Sequence, residues 1–186
     1  MLSLTALMGF LLLSGGALSM PAHAQAPEAP SQPSYAVTLT AYNAVAAQTD
    51  SNPLETASGA FSNPEIVAAR SQDLADELPF GTIIEIDGPA NSGGTCGYDV
   101  VERVIGYRVI EDTMNVRYTN RIDVLLHTKA NYSTADKGMK NAAQILGICK
   151  GATVRVVGHV GKNRIPKTQT ELAAIVRAPN KDIALK

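Results

Sequence analysis

The sequence predicts a mainly β fold, a small barrel with one helix before its last strand. Three observations carry the prediction. The chain holds 15 Gly and 10 Pro in 186 residues, a density that interrupts long helices and suits short strands joined by turns. Its apolar residues gather in short, β-branched runs bounded by turn residues, the pattern of strands. Only one stretch, 134–146, repeats its apolar residues convincingly at the helical spacings of three and four. Several strands with a single helix between the last two point to a barrel rather than to a doubly wound sheet.

The elements follow in order. Residues 1–24 contain no Lys, Arg, Asp or Glu. The apolar run Leu2–Leu18 is shorter than the roughly 20 residues a membrane span needs. Ala22-His23-Ala24 after it has the small-x-small form that a signal peptidase accepts, so 1–24 reads as a cleavable export signal, although no Lys or Arg precedes it. Residues 25–34, with three Pro and no apolar period, read as a linker. A folded part is expected from 35 to 160. Its predicted strands are 35–42, 66–69, 82–86, 98–105, 108–110, 122–126 and 152–157, with Ile122–Leu126 continuous enough to be covered on both faces. The predicted helix runs from Thr134, a capping residue, to Leu146 ahead of Gly147. Residues 161–186 form a tail, basic at first, read as a surface appendage with a short amphipathic helix possible over 168–176.

Composition excludes some functions. Sixteen basic against 17 acidic side chains give a net charge of −1, so no broad positive field exists to hold a nucleic acid. Aromatic residues are 5 % and Trp is absent, which limits stacking platforms. His23, His127 and His159 share no ligand spacing, so no metal site and no cofactor are expected. The two cysteines, Cys96 and Cys149, suit an oxidising compartment, where a bridge between them would stabilise the fold by roughly 4 kcal/mol. The expected location is therefore outside the cytoplasm, periplasmic or in the cell envelope, without membrane insertion once the signal is cut. The oligomeric state is left open.

Three aspartates carry the candidate chemistry: Asp50 in a Thr/Asn/Ser-rich loop, Asp112 at a strand end, and Asp123 inside an apolar strand. Asp123 is the most informative. A carboxylate in a buried run must be paired, hydrogen-bonded or neutralised, and a carboxyl still protonated at working pH is what a general acid requires. The alternative is a structural aspartate that braces loops or pairs with Arg117 or Arg121.

The segments Thr40-Ala41-Tyr42-Asn43, Gln48-Thr49-Asp50, Thr56-Ala57-Ser58-Gly59, Leu78-Pro79-Phe80-Gly81-Thr82, Glu111-Asp112-Thr113-Met114-Asn115 and Asn120-Arg121-Ile122-Asp123, in that order, resemble the three-aspartate (3D) domain. The resemblance implies a double-psi β-barrel. The same domain forms the catalytic barrel of membrane-bound lytic murein transglycosylase A, where a strand aspartate acts alone as acid and base on peptidoglycan. Another aspartate lies eleven residues before it there, and Asp112 and Asp123 keep that separation. The resemblance therefore implies peptidoglycan glycan strands as partner and cleavage of MurNAc–GlcNAc bonds as activity. Asp123 takes the acid/base position, and Asp112 and Asp50 assist it. Tyr42, Thr49, Asn115 and Arg121 are candidate substrate contacts, Tyr42 being either a sugar platform or a core aromatic. His127, four residues after Asp123, is read as a packed residue at the strand end. This chain departs from the enzyme after Asp112, where Thr113-Met114-Asn115 replaces a Gly-rich turn. It also lacks the insert that walls the other side of the groove. A glycan-binding module and an extracellular scaffold remain open beside the enzyme.

Overall fold

The computed structural model describes residues 32–49, 52–90, 94–134 and 138–178. The segment expected to be an export signal, most of the segment expected to be a linker, and Asp50 lie outside the described residues. The body is mainly β: six strands close into a barrel, and few helices accompany it. The barrel strands are β1 (Ser34–Tyr42), β2 (Val67–Arg70), β3 (Thr82–Asp87), β4 (Arg108–Thr113), β5 (Arg121–Leu125) and β8 (Cys149–His159). They follow one another around the wall in the order β1-β5-β2-β4-β3-β8. β1 and β5 are parallel, as are β2 and β4, while the remaining neighbours are antiparallel. Closure pairs every strand on both sides and removes open edges.

Alternation along the strands divides the core in two. Val37 and Leu39, Ala68, Ile84 and Ile86, Ile110, Ile122 and Val124, Ala152 and Val154 form one buried cluster drawn from all six strands. This is the barrel interior, and each fully enclosed Leu or Ile there contributes about 2 kcal/mol by leaving water. The opposite faces of β1, β2, β3, β4 and β5 carry a second cluster: Tyr42, Val67, Ala69, Ile83, Val109 and Leu125, with Met114, Val160 and Leu172 covering it.

Two predicted elements are corrected. Tyr98–Ile105, expected as a strand, is helix α1. Its Val and Ile residues suggested extended chain, yet Tyr98, Val101 and Ile105 are buried while Val100 is 56 % exposed, a helical phase. The segment 134–146, expected as one helix, opens as a hairpin of β6 (Asn131–Thr134) and β7 (Gly138–Asn141). Only Ala142–Leu146 forms a helix, α2, capped by Asn141, whose side chain accepts from the Ala143 N–H. Thr134 is thus a strand residue, and Gly138 has φ +68°, a conformation that ends a helix rather than continuing it. Residues 135–137 of that segment lie outside the described residues. Gly147 does end α2 as predicted: its φ is +63°, and a Cβ there would sit 2.5 Å from the Thr95 carbonyl oxygen.

Two covalent and polar ties fix the helices to the barrel. Cys96 and Cys149 form a disulfide with Cα atoms 4.7 Å apart, joining the entry to α1 with the start of β8. Arg108 on β4, 1 % exposed, donates to the carbonyls of Val104 and Ile105 at the end of α1 and to those of Pro64 and Leu125. Burial pulls its pKa down to about 9, so it stays charged near neutrality and complements the carbonyl end of the helix. A third helix, α3 (Gln169–Arg177), is capped by Thr168. It is more than a surface appendage, because Leu172 is fully buried in the outer cluster.

Candidate functional site

The pairing register assembles the site. Asp123 on β5 lies opposite Thr40 on parallel β1 and opposite Ala69 on β2. Asp112 on β4 lies opposite Ala69 from the other side. Thr40, Asp123, Ala69 and Asp112 therefore form one row across four adjacent strands. Neighbouring strands sit about 4.8 Å apart, so the two aspartates are separated by roughly 10 Å of backbone, with only a methyl group between them. The row faces the outside of the barrel, since Ile122 and Val124 beside Asp123 point inward.

Above the row lies a cleft of about 810 Å³. Its floor includes Tyr42, Ala69, Asp112 and Asp123, and its rim includes Gln48, Thr49, Glu55, Asn115, Arg117 and Gln144. Loops 43–49, 55–62 and 113–118 and helix α2 thus supply the walls. The Asn43 side chain, donating to the Leu126 carbonyl at 2.7 Å, and the Gln48 side chain, accepting from the Asn43 N–H at 2.7 Å, hold the first loop to the barrel.

The two aspartates are held differently. Asp112 is held by three hydrogen bonds. Its Oδ2 accepts from the Tyr42 hydroxyl at 2.7 Å, and its Oδ1 accepts from the N–H groups of Ala57 and Thr113 at 3.0 and 2.9 Å. Among the described residues Asp123 accepts one side-chain hydrogen bond, from Thr40 Oγ1 at 2.7 Å. Loss of water around Asp123 pushes its carboxyl up to about 6, with nearby Asp112 adding to the rise and Thr40 and Arg121 opposing it. Protein encloses it on most sides, while part of its surface opens into the cleft. A carboxyl in that state exchanges its proton near neutrality, which is the requirement for general acid and base work.

The remaining predicted residues have distinct places. Tyr42 is a core aromatic, 8 % exposed. Burial first, then Asp112, hold its hydroxyl pKa well above the ordinary range, so it keeps its proton and donates it to Asp112. Thr49 and Asn115 line the cleft. Arg121 shares the outward face of β5 with Asp123 and stacks on Tyr118 rather than lining the cleft. His127 is exposed beyond β5, where its Nδ1 accepts from the Lys129 N–H. Asp50 adjoins Thr49 but lies outside the described residues. Among the described residues no three His, Cys, Asp or Glu side chains gather as a metal-binding group.

One important residue escaped the sequence analysis. Glu111, 1 % exposed, faces away from Asp112 and accepts from the Ser58 hydroxyl at 2.5 Å. The Ser58 N–H also donates to the Glu111 carbonyl at 3.0 Å. Glu111 thereby clasps the 56–59 loop whose Ala57 N–H reaches Asp112. Burial raises its pKa, against the opposing effect of Ser58. The signal available in sequence was a second carboxylate beside Asp112, easily taken for a solvated neighbour. Comparison of the chain with family models and with curated proteins returns no match.

Proposed function

We propose that this protein is an exported enzyme that cleaves the MurNAc–GlcNAc bonds of bacterial peptidoglycan, on a barrel of the three-aspartate, double-psi type. The observation that carries the reading is Asp123: a carboxyl with its pKa raised to about 6, on the floor of a cleft of about 810 Å³ and in register with Asp112 across Ala69. In its protonated form Asp123 donates to the glycosidic oxygen as the bond to C1 breaks, and positive charge develops on the sugar ring. The carboxylate left behind takes the proton of the attacking hydroxyl, which restores the acid. If that hydroxyl is the C6 hydroxyl of the same MurNAc, the product carries a 1,6-anhydro end; if it is water, a reducing end. Asp112, fixed by Tyr42, Ala57 and Thr113, sits where it favours the cationic transition state.

The test is to incubate the mature protein with purified glycan strands and weigh the products. New anhydro or reducing ends support the reading and name the reaction. Strands that bind but stay intact assign the protein to glycan binding. Strands that neither bind nor break leave the aspartates as loop braces and end the proposal.

A further inference from the structure

Strand β4 changes face at Glu111. Val109 lies in the outer cluster with Val67, its partner on β2, and Ile110 lies in the barrel interior with its partner Ala68. Strict alternation would send residue 112 inward with Ile110, into an apolar interior. Instead Ala69, the next residue of β2, pairs with Asp112, so the register shifts and Glu111 is left as one extra residue. Such a bulge re-aims the side chain that follows it. It brings Asp112 to the outer face, where Ala69 and Asp112 both line the cleft.

A bulge takes backbone groups out of the ladder, so another group must satisfy them. Ser58 does so, and it ties the side chain as well. Its N–H donates to the Glu111 carbonyl at 3.0 Å, and its hydroxyl donates to Glu111 Oε2 at 2.5 Å. One residue earlier, the Ala57 N–H donates to Asp112 Oδ1 at 3.0 Å. Two consecutive residues of the loop thus grip two consecutive residues of the strand. Thr56 closes the loop behind them, its Oγ1 accepting from the Ala60 N–H at 3.1 Å. The other carboxyl oxygen, Glu111 Oε1, is buried without a hydrogen-bond partner among the described residues. An apolar side chain of similar volume would leave no orphan oxygen there, so stability alone does not account for a carboxyl at this position. What the carboxyl adds is the tie to Ser58.

We propose that Glu111 is a positioning residue: through Ser58 it fixes the bulge and the loop that turn Asp112 into the cleft. Its consequence for catalysis rests on the proposed glycan cleavage, whereas its consequence for the placement of Asp112 does not.

The experiment therefore has one arm without glycan. Amide hydrogen exchange is followed by NMR in the parent, Glu111→Leu and Glu111→Gln. Leucine keeps the volume and loses the acceptor; glutamine keeps an acceptor for the Ser58 hydroxyl. In Glu111→Leu the Ala57 amide should exchange about tenfold faster, with the amides of the barrel strands unchanged. Glu111→Gln should stay close to the parent. Glu111→Met, with a more adaptable side chain, repeats the test if Glu111→Leu does not fold. In the second arm, kcat on glycan strands should fall about tenfold in Glu111→Leu with KM unmoved, as expected when a group beside the reacting atoms is displaced. Glutamine should again restore it. Unchanged Ala57 exchange, equal acceleration of Ala57 and the barrel amides, or a glutamine variant as loose as the leucine one overturns the proposal. A loosened Ala57 with undiminished kcat also overturns it. If the parent cuts no glycan, the cleavage reading fails, and the exchange arm still decides whether Glu111 places Asp112.

Discussion

At the residue scale, the site depends on what each carboxyl can do with a proton. Asp123→Asn keeps shape and the Thr40 contact but removes acid and base together. Glycan cleavage should fall by about 10²–10⁴, as expected for loss of a general acid, with binding retained. Folding should hold or improve by about 1 kcal/mol at neutral pH. The full pKa displacement would be worth about 3 kcal/mol, and exposure to the cleft reduces it. The pH dependence has a definite sign. Because the folded pKa lies above the unfolded one, Asp123 favours the folded state fully only below the unfolded value near 4. That contribution is lost as pH rises through about 6. The wild type should therefore lose stability relative to Asp123→Asn between about pH 4 and 6 in chemical denaturation, and its cleavage rate should decline above pH 6. A rate that rises steadily to pH 9 would remove Asp123 as the acid. Glu111 supports the site from behind. Ser58→Ala removes its hydroxyl donor and should cost about 1–3 kcal/mol, more at pH 8 than at pH 5, because the lost bond favours the charged form. Asp123 was legible in sequence because a carboxylate in an apolar run demands an explanation; Glu111 was not, because only the fold buries it.

At the element scale, strands were easier to read than helices. β1, β2, β3, β5 and β8 have β-branched runs and turn residues that agree with their tertiary setting. In α1 the same residue types sit in a helix, because Tyr98, Val101 and Ile105 must all reach the core and only a helical turn aligns them. The 134–146 region misled in the opposite direction: Ala, Met and Leu fell at helical spacing, yet Met139 is 66 % exposed and Gly138 turns the chain into a hairpin. The register that places Asp112 and Asp123 around Ala69 depends on which strands become neighbours, which local patterns do not encode. The disulfide was inferred from export and a cysteine count, and it now has a structural consequence. It closes a separation of 53 residues, which contains α1, β4, β5 and α2. Cys96→Ser with Cys149→Ser should lower stability by about 4 kcal/mol if chain entropy dominates. Reductant should lower the melting temperature of the parent and leave that of the double variant unmoved. Equal response of both proteins to reductant would show that the bridge does not hold the barrel.

At the scale of the whole molecule, the C-terminal segment belongs to the support of the site. Leu172 of α3 shares the outer cluster with Tyr42, Ala69 and Met114, all of which also line the cleft. Gln169 ties the same helix to the barrel, accepting from the Tyr107 N–H at 3.1 Å and donating to the Tyr107 carbonyl at 2.7 Å. The wall that carries Asp112 is therefore packed between cleft and helix, and Tyr42, which holds Asp112, rests on the same apolar layer that α3 covers. A short amphipathic helix at the end of a chain rarely stays folded alone; here its burial against the barrel supplies the stability. Leu172→Ala should open a cavity in that layer and cost about 2–4 kcal/mol, whereas Ile175→Ala, at a position already 39 % exposed, should cost less than about 1 kcal/mol. Urea denaturation of the two variants distinguishes a docked helix from an appendage. If Leu172→Ala is as mild as Ile175→Ala, α3 does not cover the barrel in solution, and the layer beneath Tyr42 must be held by the remaining outer residues alone.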